Sequence, residues 1–283
     1  MAKILYGKPV VDSIKNDLTR RIKLVKDRGV SPGLSVLRAG DRPDDIAYEN
    51  RLNRMCDVLG IRHQTVEVGR DISQYGLAFA LEQLNLQEDM HGIIVFRPLP
   101  DHIDDDMICD LISVDKDIDC MNPDNLKGLF TGRNKTFAPC TAEAVIELLD
   151  FYGFNLDGAN VAIINRSPVI GKPLSLLFLD RNSTVMICHS HTKNIRDITR
   201  SADIVVTGTG KTEYFGPEYV SPGTVVVDVG INFREDGSMT GDVFFDAVCE
   251  KAAAVTPVPG GIGGITSAIL LRHIVESAEK CAW

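Results

Sequence analysis

The chain has 283 residues, 44% of them hydrophobic, 24% charged and 6% aromatic, with a formal net charge of −9. That length suits one large or two modest domains and buries a core without disulfides or a structural metal. The acidic balance argues against nucleic acid as the main partner. No apolar run approaches the roughly 20 residues that span a bilayer, and the first residues lack a signal-peptide layout. The seven cysteines include no C-x-x-C pair, so reduced thiols in a cytoplasmic setting are expected. Cys188-His189-Ser190-His191 is the nearest approach to a metal cluster, and its alternation across a strand makes it a poor ligand set, so no metal is expected.

Strands and helices alternate along the chain. Residues 34–38 read as a strand. A helix over 45–59 opens at Pro43-Asp44-Asp45 and closes at Gly60. A short strand ends at Val66, a helix covers 72–86, and an apolar strand over 92–96 stops before Pro98. The acids Asp101, Asp104, Asp105 and Asp106 read as a solvated helix start. A helix over 142–152 follows Pro139-Cys140-Thr141.

A second series then begins. It has strands at 161–164, 184–188, 204–206 and 225–229, helices at 173–180 and 194–201, and a last helix from Thr266 to about Lys280. Apolar strands alternating with helices predict an α/β fold with parallel sheets covered on both faces. The domain boundary is expected near residue 138. Residues 1–138 plus 265–283 would form one domain and residues 139–264 the other.

The second half carries signs of a nucleotide site. Val161 to Pro173 reads as strand, loop and helix start, and a helix N-terminus suits a pyrophosphate. The stretch lacks the G-x-G-x-x-G fingerprint, so an ordinary βα turn is an equal reading. The next strand ends without the carboxylate that usually holds an NAD ribose. Arg166 and Ser190 there suit a 2′-phosphate, which favours NADP over NAD. Thr207, Gly208 and Gly210 form a further glycine-containing turn after a strand.

The ordered set Asp117-Ile118-Asp119, Pro139-Cys140-Thr141, Asn165-Arg166-Ser167 with Gly171-Lys172-Pro173, Cys188-His189-Ser190, Gly241-Asp242-Val243 and Thr256 through Gly261 resembles the methylenetetrahydrofolate dehydrogenase/cyclohydrolase family. The resemblance covers essentially the whole chain. It implies two α/β domains, the second a Rossmann-type NAD(P)-binding domain, with the C-terminal helix returning to the first. It further implies a homodimer and two reactions. These are NADP-dependent oxidation of 5,10-methylenetetrahydrofolate to the methenyl form, and hydrolysis of that product to 10-formyltetrahydrofolate.

Site residues follow position by position. Tyr48 matches the tyrosine that stacks on the folate, and Asp119 the aspartate that holds the pterin-side nitrogens, although a turn-capping role for Asp119 is the plainer reading. Pro259, Gly260 and Gly261 match the loop beside the ligands. The cofactor residues are Asn165, Arg166, Ser167, Gly171, Ser190, Thr207, Gly208, Gly210 and Ile231.

Two positions depart from the family pattern. The family's Tyr-x-x-x-Lys is Tyr48-Glu49-Asn50-Arg51-Leu52, so Leu52 stands where the hydrolytic lysine is expected. The glutamine that supports that lysine is Phe96. Asp-Gly-Phe is here Asp119-Cys120-Met121, and Gly-Pro-Met-Thr is Gly263-Gly264-Ile265-Thr266. Hydrolysis is therefore expected to suffer more than oxidation. Arg51, Arg54 and Arg97 are nearby cations, either surface charge or contacts for a folate glutamate tail.

Three other readings stay open. One is a bifunctional enzyme with another acid–base group, such as Lys172, Lys211 or His191. A second is a non-catalytic folate- or nucleotide-binding protein. The third is a dehydrogenase for a different small substrate.

Overall fold

A computed structural model describes residues 1–133 and 137–283. In chain order the first elements are β1 (Lys3–Ile4), α1 (Gly7–Lys26), β2 (Gly33–Ala39), α2 (Pro43–Leu59), β3 (Arg62–Val68), α3 (Gln74–Asn85), β4 (Gly92–Val95), α4 (Asp105–Leu111), α5 (Pro123–Thr131) and α6 (Cys140–Phe151). They continue with β5 (Asn160–Ile164), α7 (Gly171–Leu179), β6 (Thr184–Cys188), α8 (Ile195–Arg200), β7 (Ile204–Thr207), β8 (Val225–Asp228), β9 (Asn232–Phe233), β10 (Met239–Thr240), α9 (Phe245–Cys249), β11 (Ala254–Val255) and α10 (Ile262–Ala282).

The chain divides into two compact units. One comprises Met1–Asp12 with Thr141–Thr266, the other Ser13–Cys140 with Ser267–Trp283. The expected division is corrected at the N-terminus. Residues 1–12 go with the nucleotide half because Lys3 and Ile4 pair in parallel with Ala254 and Val255, making β1 an edge strand of its sheet. The last helix returns to the other unit as expected, although it starts at Ile262, four residues earlier than its glycines suggested.

The Ser13–Cys140 unit is built on a parallel sheet of order β3-β2-β4. Leu37 and Ile93 of the sheet bury themselves with Leu77, Leu81 and Leu84 of α3 and Ile108 of α4. The spacing of those α3 leucines turns one face of the helix to the sheet. α2 ends at Gly60 in the left-handed conformation, as the sequence predicts. Asp104 caps α4 by accepting from the Met107 N–H at 3.1 Å, so the acidic cluster does open a helix. Asp105, read as solvated, instead pairs with Arg97 at 3.0 Å. Helices α1 and α5 had no counterpart in the sequence reading.

The other unit carries a six-stranded sheet of order β1-β11-β8-β7-β5-β6, with every pairing parallel. The chain leaves β5 toward β6 and returns to β7 on the opposite side, so the order reverses between β5 and β7. In open α/β sheets a ligand lies outside the strand ends at such a reversal. Ala162, Val205, Val226 and Val255 form the core on one face with Phe215, Tyr219 and Val248. Among the described residues, no helix is long and apolar enough to cross a membrane.

Candidate active site

In the nucleotide half, a cavity of about 320 Å³ opens at the carboxyl ends of β5, β6 and β7. Arg166, Ser190, His189, Thr209 and Lys211 are among its lining residues, with Asn165 and Gly208. No carboxylate lines it among the described residues. The cavity therefore offers two cations and several hydroxyls, which is the donor set a phosphorylated ribose requires.

Asn165 organises its floor. Its amide nitrogen donates to the Gly208 carbonyl at 2.5 Å, while its oxygen accepts from the N–H groups of Ser167 and Gly171 at 2.8 and 3.0 Å. A Cβ on Gly171 would lie 2.0 Å from the Asn165 carbonyl oxygen, so only glycine permits this approach of loop to helix start. Ser167 supports the same turn by accepting from the Ile170 N–H at 3.0 Å. Of the predicted cofactor residues, Asn165, Arg166, Ser190 and Gly208 line the cavity. Ser167, Gly171, Thr207 and Gly210 shape or flank its loops. Ile231 is exposed and is not among the residues lining this cavity. Pro259 and Gly260 are exposed and Gly261 is buried, with a cis bond before Pro259.

In the other unit, α2 leaves the end of β2 and presents Tyr48. Glu49 beside it accepts from Arg38 at 2.9 Å and from the Thr65 hydroxyl at 2.7 Å, which ties the helix to the sheet. The Tyr48 ring packs on Phe96 with centroids 5.5 Å apart at 41°. Burial, with Asp119 nearby, pushes the Tyr48 phenol far up, against the opposing effect of a hydrogen bond from Ser267. Leu52 is 0% and Phe96 6% exposed. Phe96 thus lies against the Tyr48 ring, and Leu52 is a buried apolar side chain one helical turn along α2.

Asp119 follows a segment that runs beside β4, bridged through Ile93 and Asp117. Its carboxylate accepts from the thiol and backbone N–H of Cys140, yet burial dominates and pushes its pKa up. The capping role weighed for Asp119 belongs to Asp117. That residue accepts from the N–H groups of Met121 and Asn122 at 2.9 and 2.8 Å and from the Asn125 side chain at 2.7 Å. Asp119 itself bonds the first residue of α6, Cys140. Cys120 adopts φ 56°, a left-handed conformation that suits the glycine of the family pattern.

Sequence reasoning missed Glu49, Ser267 and His273. The last is buried, its Nδ1 2.7 Å from the Ile118 carbonyl and 3.7 Å from the Cys140 sulfur. Arg97 is committed to Asp105 and to the Cys109 sulfur, at 3.0 and 2.6 Å, rather than free for a ligand. Arg54 donates to the Asn50 carbonyl at 3.0 Å, and Arg51 is exposed.

Family models fit both halves. Residues 5–119 match the catalytic domain of tetrahydrofolate dehydrogenase/cyclohydrolase, and residues 139–282 match its NAD(P)-binding domain. The chain belongs to the tetrahydrofolate dehydrogenase/cyclohydrolase family. It is 47% identical over 280 residues to the bifunctional protein FolD of Clostridium botulinum strain Hall, covering 99% of each chain. It superposes with a TM-score of 0.97 on the bifunctional FolD methylenetetrahydrofolate dehydrogenase/cyclohydrolase of Campylobacter jejuni, at 36% identity and covering 99% and 100% of the two chains. The Trypanosoma brucei N5,N10-methylenetetrahydrofolate dehydrogenase-cyclohydrolase, solved with NADP and an inhibitor, gives 0.92 at 34% identity and covers 99% and 98%. Membership makes this chain an oxidoreductase of one-carbon metabolism in which a Rossmann-type domain binds NAD(P).

Proposed function

We propose that this protein oxidises 5,10-methylenetetrahydrofolate to the 5,10-methenyl form with NADP, and hydrolyses that product weakly or not at all. The observation that carries this reading is that both positions hold buried apolar side chains, Phe96 against the Tyr48 ring and Leu52 one helical turn from Tyr48 on α2.

The two reactions ask different things of a protein. In the oxidation a hydride leaves the folate methylene carbon, and the substrate's own nitrogen stabilises the resulting cation. Positioning then supplies most of the catalysis. Tyr48 offers a ring to stack on, and Asp119 an acceptor for the N–H groups of an aminopyrimidine. NADP when bound supplies the hydride acceptor. Arg166 and Ser190 would hold its 2′-phosphate, and the absence of a carboxylate from the described cavity lining fits that charge.

Hydrolysis adds water to the methenyl carbon, releases a proton and opens one C–N bond. General acid–base assistance contributes about 10²–10⁴-fold to such steps. Leucine and phenylalanine move no proton. Arginine stays charged and shuttles protons poorly.

A second reading, full bifunctionality, draws on the bifunctional relatives. Incubating the protein with methylenetetrahydrofolate and NADP separates the two. Methenyltetrahydrofolate accumulating with NADPH supports the dehydrogenase reading, and prompt conversion to the 10-formyl product overturns it. NADPH formation also separates both from a binding protein without turnover. The expected homodimer is tested by sedimentation velocity.

A further inference from the structure

Gly241-Asp242-Val243 belongs to the ordered motif set, yet none of the roles above uses it. Asp242 is fully buried. A buried carboxylate is costly unless its oxygens are well bonded, and the donors here are all neutral. Oδ2 accepts from the Thr207 hydroxyl at 3.0 Å and from the backbone N–H of Thr209, and Oδ1 accepts from the Asn232 amide at 2.9 Å. Gly230 leaves room for this arrangement, since a Cβ there would lie 2.3 Å from Oδ1.

Thr207 ends β7 and Thr209 lies in the turn after it, Gly230 follows β8, Asn232 opens β9, and Asp242 follows β10. Thr209 lines the nucleotide cavity, and its hydroxyl accepts from the Lys211 N–H at 3.3 Å, placing a second lining residue. Gly208, between Thr207 and Thr209, accepts from Asn165, which in turn holds Ser167 and Gly171. One buried carboxylate thus anchors a bonded series that reaches both loops of the cavity.

We infer that Asp242 is the positioning residue that holds the Thr207–Lys211 turn in its cofactor-binding shape. Asparagine matches it poorly. With its oxygen toward Thr207 and Thr209 its NH₂ faces the Asn232 amide, and turned over its NH₂ faces the Thr209 N–H, a backbone donor that cannot turn away. The inference rests on the NADP reading above.

The test is Asp242→Asn, with Asp228→Asn as the comparison. Asp228 is also buried and accepts from the backbone N–H groups of Gly230, Val243 and Asp242 itself, but none of these donors belongs to the Thr207–Lys211 turn. Calorimetric titration with NADP and steady-state kinetics give the readout. Asp242→Asn should raise the Kd and KM for NADP by about 10- to 100-fold. The KM for folate should stay within about twofold, and kcat at saturating NADP within about threefold. Asp228→Asn, which leaves the Asp242 carboxylate and its bonds to the turn in place, should raise the NADP Kd by at least about threefold less than Asp242→Asn does.

A folded Asp242→Asn with unchanged NADP affinity overturns the inference, and so does an equal rise in both KM values. If that variant does not fold, amide exchange in the wild-type protein decides. The Thr209 amide should be protected by about 100-fold or more before cofactor is added, and exchange at an open-loop rate overturns the inference. A wild type that binds NAD in place of NADP overturns the cofactor reading alone, and the same comparison run with NAD then decides the role of Asp242.

Discussion

Leu52 lies one helical turn beyond Tyr48 on α2 and is wholly buried, while the Tyr48 ring rests on Phe96 at 5.5 Å. A lysine at position 52 would bring a cation into a buried position, and a glutamine at position 96 would bring an amide against the Tyr48 ring. Each introduced alone carries the cost of burying a polar group, and we expect the two introduced together to offset that cost by bonding each other.

That linkage predicts non-additive rescue. Leu52→Lys alone should lower stability by about 3 kcal/mol or more and give little hydrolysis. Leu52→Lys with Phe96→Gln should recover part of that stability. It should also raise the ratio of cyclohydrolase to dehydrogenase activity about tenfold or more. Thermal denaturation and paired initial rates on the four proteins of the cycle check this. Additive effects on both readouts would contradict the linkage.

Cofactor preference should follow the ribose phosphate. Arg166→Ala and Ser190→Ala should each raise the KM for NADP about 10-fold or more and leave the KM for NAD within about threefold. Equal losses with both nucleotides would assign these residues to a shared part of the cofactor.

Gly171→Ala tests the close approach under the cavity. The added Cβ would meet the Asn165 backbone oxygen at 2.0 Å, and backbone cannot swing aside as a flexible side chain can. Loss of NADP binding by more than about tenfold is expected, with a fall in melting temperature of several degrees. Unchanged titration and melting would show that the loop relaxes freely.

Asp228 predicts a pH signature. Burial pushes its carboxyl up to about 6 despite N–H donors from Val243 and Gly230. A raised folded-state pKa means that the folded protein holds this proton more tightly than the unfolded chain. Its stabilisation is complete below the unfolded value near 4 and is lost as pH rises through about 6. Between pH 4 and 6.5 the difference in unfolding free energy between wild type and Asp228→Asn should drift by about 3 kcal/mol at most, against the wild type as pH rises. Chemical denaturation across that range measures it, and a flat difference would contradict the shift.

Much of this architecture was legible because it is local. Gly60 stops α2, Pro98 stops the strand at β4, and the apolar runs at 161–164 and 204–206 occupy neighbouring strands. What escaped depends on distant partners. The two residues of β1 carry no periodic signal and become a strand only by pairing with Ala254 and Val255. The start of α10 was hidden because Gly263 and Gly264 read as loop. In the site, Leu52 and Phe96 stood out by residue type against the family pattern. Their burial and the Tyr48–Phe96 contact required the folded chain. Asp119 could be singled out by its motif, whereas the division of bonds, Asp117 with Met121 and Asn122 and Asp119 with Cys140, depended on the folded chain. Asp242 was visible in a motif, with no hint that its carboxylate joins Thr207, Thr209 and Asn232.

The central claim of the proposed function is that Leu52 and Phe96, standing where the resemblance leads one to expect lysine and glutamine, separate oxidation from hydrolysis. Initial rates of NADPH formation from methylenetetrahydrofolate and of hydrolysis of added methenyltetrahydrofolate, taken on one preparation, test it directly. The account predicts ready NADPH formation and methenyl hydrolysis at least about 100-fold slower than in a bifunctional relative assayed beside it. Hydrolysis at a rate comparable to that relative would contradict it.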